Sequence, residues 1–164
     1  MLFGTAFGSF AFYHTLITLV AIVSGLVMLA GLLGNRRQDG VHHVFLLFSV
    51  LTAVTGFLLP YKGITPAVAV GIVLSVLLIP ALAGRYLFAM RGAWRPVYIV
   101  TAVAALYLNC FVLVVQSFVK FPALHALAPG NPPGGPVFGA TQGIVLIAFV
   151  VAGYLAVRRF RPRG

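Results

Sequence analysis

The chain has 164 residues, 62% of them hydrophobic and 7% charged. A soluble domain draws about a quarter of its residues from the charged types, so this composition, with a mean hydropathy of +1.11, excludes a water-soluble globule and predicts an integral membrane protein of one compact unit. Eleven Lys plus Arg face one acid, Asp39. A net charge of +10 would point to nucleic acid in a soluble chain. Here the basic residues fall between apolar stretches, where they orient spans and meet anionic head groups, and no nucleic-acid partner is expected.

The opening segment, residues 1–13, lacks the basic region and the cleavage site of a signal peptide, so the N-terminus is expected to be retained. Gly4 and Gly8 have GxxxG spacing there. The first span is expected at roughly 12–34, long enough for the ~20 residues a helix needs to cross a bilayer. A short polar loop follows, in which Asp39 is placed to cap the next helix. The second span, roughly 41–59, brings Ser49, Thr52 and Gly56 near one face, where small residues permit close helix approach. Thr65-Pro66 is a helix start, because proline at the first helical position loses no useful donor. The third span, roughly 66–87, contains Pro80 and is expected to kink near its far end. The fourth, roughly 97–119, carries Asn109, Cys110 and Gln116. The lone Cys110 has no partner for a disulfide and reads as a small buried apolar residue. Residues 121–137 are too rich in Pro and Gly for a spanning helix. The fifth span is expected at roughly 138–157.

Five spans place alternate loops on opposite sides. One side receives Arg36, Arg37, Arg85, Arg91, Arg95, Arg158, Arg159, Arg161 and Arg163; the other receives Lys62 and Lys120. The positive-inside rule then puts the N-terminus outside and the C-terminus in the cytoplasm. The predicted fold is therefore an all-α membrane bundle of five transmembrane helices in one domain, residues 1–164.

Counting depth at about 1.5 Å per residue gathers several polar groups in the outer half. They are His14, Thr18, Thr55, Gln116 and Gln142, with His125 in the outer loop able to close over them. One reading is an outward-opening pocket whose imidazole and amides bond the carbonyls of a quinone-like ligand; it requires His14, Gln116 and Gln142 to converge. The other is interhelical glue, with Asn109 as buried polar packing. His42 and His43 are adjacent on one helix and point about 100° apart, so they cannot ligate one haem iron from opposite faces. A single outer haem would have only His14 and His125 to draw on. No metal site is expected, since zinc takes three or four protein ligands. No span carries a carboxylate and no serine has an evident base beside it, which argues against catalysis and proton-coupled pumping.

The runs HTLITLVAIVSGLVMLAGLL and LYLNCFVLVVQSFVKFPALHALAP, with TQG opening the last span, resemble small multi-pass membrane proteins encoded in many bacterial genomes. The resemblance covers most of the chain. It implies a bacterial inner-membrane setting and brings no activity and no site residues. The expected function is non-catalytic: an accessory or structural subunit that packs against other membrane chains or itself. The alternatives are a binder of quinone, lipid or a single haem in the outer pocket, with no cofactor strictly required, and a passive channel or carrier.

Overall fold

The structure is a computed structural model that describes residues 9–161. Gly4, Gly8 and Arg163 lie outside the described residues. Helices α1 (Phe10–Leu33), α2 (Asp39–Phe57), α3 (Pro66–Leu82), α4 (Trp94–Lys120), α5 (Pro122–Leu127) and α6 (Pro136–Arg159) follow in order. All but α5 are long and apolar enough to cross a membrane, α3 with the turn that extends it to Leu87. Their ends fall within a helical turn of the expected spans.

Local chemistry sets several of those ends. Ser9 caps α1 by accepting from the Phe12 amide, and Thr65 caps α3 by accepting from the Val68 amide with Pro66 behind it. Asp39 departs from expectation. It is the first residue of α2 and not its cap, a place taken by Gln38 without a side-chain bond. The reason is competition: the Asp39 carboxylate accepts from Arg37 at 3.0 Å and from Arg85. It still lies where the helix dipole favours an anion. Pro80 stays inside α3, and the helix ends in a π turn, Ala83–Leu87, one turn further on. Proline removes a ladder donor and crowds the preceding turn, so the helix loosens where the sequence placed its kink.

Helices α1, α2, α3 and α4 form a ring in which each packs on the next and α4 closes on α1. Helix α6 packs from outside on α4 and α1 and buries only Gln142 and Ala156. Across the ring, the interior is plugged where Gly25 meets Phe45 and Leu106. A Cβ at Gly25 would lie 2.5 Å from Leu106 Cδ1 and 2.9 Å from the Phe45 ring. Glycine is required there by the approach itself, since any side chain would displace one of two fully buried neighbours.

Below that plug the basic ends of the helices meet. His42 Nδ1 lies 2.6 Å from the Tyr98 hydroxyl, which donates to Met28 Sδ at 3.7 Å. His43 pairs instead with Tyr86, so the two adjacent imidazoles face different partners. Arg95 donates to the carbonyls of Val157 and Phe160 at 2.8 and 2.6 Å, tying the end of α6 to the start of α4. Asn35 Oδ1 accepts from the Arg161 amide, so the C-terminal segment returns to the α1–α2 turn.

Candidate functional site

Above the plug the ring of four helices encloses a cavity of about 270 Å³. Its wall comes from α1, α2, α3 and α4, with Leu59 and Tyr61 from the α2–α3 turn. The heights of its polar groups follow from the helix rise of about 1.5 Å per residue, measured from the plane of Gly25, Phe45 and Leu106. Asn109 lies about 4–5 Å above that plane, and Thr18 and Thr52 about 10 Å. His14 and Gln116 lie about 15–16 Å above it, and Lys120 about 21 Å. The hydrogen bond from His14 on α1 to Thr55 on α2 checks this scale, because both residues come out at one height.

The lower half of the cavity is chemically unusual. Asn109 is 3% exposed and Thr52 7% exposed, and both line the cavity. Asn109 Nδ2 and Thr52 Oγ1 are buried without a hydrogen-bond partner. Each such orphan costs about 1–3 kcal/mol, and native proteins leave few of them. A half-turn of the Asn109 amide exchanges its donor and acceptor ends. A molecule in the cavity carrying an oxygen can therefore supply the missing bonds. Ser49, a turn below Thr52, carries a second buried orphan hydroxyl.

The upper level is better defined. Thr55 Oγ1 lies 2.6 Å from the Leu51 carbonyl oxygen and 2.7 Å from His14 Nδ1. The hydroxyl has one proton. If it went to the imidazole, two oxygens would face each other at 2.6 Å with no proton between them. Thr55 therefore donates to Leu51, and His14 Nδ1–H donates to Thr55. In the neutral ring this leaves Nε2 as an acceptor. Thr15 and Thr18 likewise donate to the backbone, to Ala11 O and His14 O, and keep lone pairs for a ligand. Gln116 lines the same level, and Lys120 and Tyr61 line the mouth.

Of the residues the sequence singled out, the structure brings His14, Thr18 and Gln116 to the cavity, with Thr55 bonded behind His14. Gln142 and His125 go elsewhere. Gln142 Nε2 donates to the Phe111 carbonyl at 3.2 Å on the outer flank of α4. His125, on α5, bonds the Phe118 carbonyl at 3.2 Å. The convergence expected of His14, Gln116 and Gln142 is met by the first two, because α6 lies outside the ring. Asn109, read from the sequence as packing, and Thr52, read as a close-approach residue, line its lower half instead. Their signal was a polar residue in the middle third of each of two spans. His14 and His125 do not share the cavity, so they do not form an axial pair for haem. Among the described residues no three His, Cys, Asp or Glu side chains come together as a metal site. Comparisons of the chain with protein-family models, with curated proteins and with solved structures returned no match.

Proposed function

We propose that the protein binds a small amphipathic molecule in the cavity between α1, α2, α3 and α4, within the outer leaflet of a bacterial inner membrane. The observation that carries this reading is the lower half of the cavity, lined by two side chains more than nine-tenths buried that each carry a polar atom lacking a partner. Structural glue would have paired them with each other or with backbone. The volume of about 270 Å³ is close to the ~300 Å³ lower end of small-molecule sites. It suits a ring or head group and is too small for a whole lipid. The packed plane of Gly25, Phe45 and Leu106 favours a blind site over a pore. Orientation rests on the sequence, whose span count assigns nine basic residues to one side and Lys62 and Lys120 to the other, which supports placing the cavity mouth outside.

The test is native mass spectrometry of the protein released gently from its own membranes. A discrete small-molecule adduct is expected on wild type and is expected to vanish in Ala53→Phe, whose ring fills the cavity. A bare wild-type mass in every preparation, with no added ring or head-group compound able to raise its thermal stability, overturns the reading.

A second reading has its own support. Helix α6 leaves most of its surface open, and Cβ atoms at Gly139 and Gly143 would meet nothing within 4 Å. This favours an accessory or self-associating role, in which α6 packs on another membrane chain or a second copy. Cross-linking between cysteines placed at Ile147 in native membranes tests it, and a uniformly monomeric result without co-purifying chains opposes it.

A further inference from the structure

The cavity has two polar levels, and their chemistry and spacing define what fits between them. The upper level offers an acceptor, His14 Nε2, whose role is fixed by the Thr55–Leu51 bond behind it. The lower half offers Asn109, able to present a donor amide, and about 6 Å above it Thr52, a hydroxyl that donates and accepts. The helix rise separates the backbones of His14 and Asn109 by about 12 Å along the bundle, with Thr52 about halfway between them. A six-membered ring with oxygens at opposite ends is of comparable length. Its C–O bonds of about 1.2–1.4 Å, the ring itself and a hydrogen bond of about 2.8 Å at each end sum to about 11 Å. The remaining wall is largely apolar, with Leu19, Ile22, Val70, Leu74, Val112 and Leu113 facing a ring's sides.

We propose that the ligand is a para-dioxygenated ring in its hydroxyl-bearing form, a hydroquinone or para-hydroxyphenyl compound, and that the site discriminates against the oxidised quinone. The proposal rests on the cavity being a ligand site. Its hydroxyl at the upper level donates to His14 Nε2. Its lower oxygen accepts from Asn109, and Thr52, about 6 Å higher, borders the ring. A quinone carbonyl at the upper level would set a lone pair against the Nε2 lone pair and lose that bond, although Gln116 can still donate to it. Removing a hydrogen bond while leaving a buried acceptor facing another is worth about tenfold in affinity or more. The selection is a property of Thr55 as much as of His14, because Thr55 holds the ring in the tautomer that accepts.

The experiment uses the full chain in lipid nanodiscs at pH 8, where an imidazole is neutral. The probes are trimethylhydroquinone kept reduced under argon, trimethyl-1,4-benzoquinone, and the dimethyl ether of the hydroquinone, with affinities from calorimetric titration. The hydroquinone is expected to bind at least about tenfold tighter than either of the others. Thr55→Val frees the imidazole to exchange tautomers and is expected to bring quinone and hydroquinone within about threefold of each other, whereas Thr55→Ser keeps the preference. Equal binding of the three probes, abolished by Ala53→Phe, overturns the selection while leaving the cavity as a ligand site. No binding of any probe, or binding that Ala53→Phe does not touch, overturns the proposal, and the second result removes the cavity reading with it.

Discussion

Replacing Asn109 with leucine exposes an opposition between stability and binding. The side chain is 3% exposed and its Nδ2 has no partner. In the ligand-free protein, wild type therefore carries the penalty of a stranded amide donor, about 1–3 kcal/mol. Leucine has nearly the same shape and no polar atom, so Asn109→Leu removes that penalty without opening a void. The reference state within a membrane tempers the gain, since a partly unfolded chain finds other partners for its amide. The expected result is a stabilisation of about 1–2 kcal/mol, measured by steric trapping or by SDS titration in bicelles. Ligand should reverse the order. At a hundredfold excess over its dissociation constant a ligand adds about 2.7 kcal/mol to wild type, and the variant should gain little of this. A destabilisation of more than about 1 kcal/mol in the ligand-free protein would refute the reasoning, because it would mean the amide is bonded in the fold.

Four further outcomes follow from the packing. Gly25→Ala drives a methyl to within 2.5 Å of Leu106 Cδ1 and should cost about 1–3 kcal/mol of stability by the same titration. Asp39→Asn leaves the guanidinium of Arg85, 8% exposed, without its carboxylate and should destabilise by about 2 kcal/mol. Arg37→Ala, at the exposed side of the same carboxylate, should change stability by less than about 1 kcal/mol. Arg95→Met removes two charge-assisted bonds to the carbonyls of Val157 and Phe160, so the last turn of α6 should fray. Limited trypsin digestion of inside-out vesicles should then cut faster after Arg158 and Arg159 in the variant than in wild type.

Depth was legible in the sequence and direction around the bundle was not. Alternating basic loops and span lengths located the helices, and counting the 1.5 Å rise put His14, Thr55 and Gln116 in the same outer half, where His14 and Thr55 share a hydrogen bond. The same count put Gln142 in that outer half, on a helix that lies outside the ring. Spans that are apolar all round carry no stripe to say which face looks inward, so nothing in α6 announced that its glutamine bonds the far flank of α4. Asn109 and Thr52 failed for a related reason. Buried amides and hydroxyls in spans usually find partners, and whether they do is decided by geometry between helices that no local pattern encodes. The Asp39 cap was lost to long-range pairing, since Arg85 arrives from a helix distant in sequence.

The most direct test of the ligand site is an experimental density map of the protein as isolated, without added ligand, at a resolution that shows side chains. The account predicts non-protein density between Asn109 and the His14–Gln116 level, passing Thr52 and touching Asn109. A closed cavity, with the Asn109 amide bonded to a neighbouring carbonyl and Thr52 donating within its own helix, would contradict it.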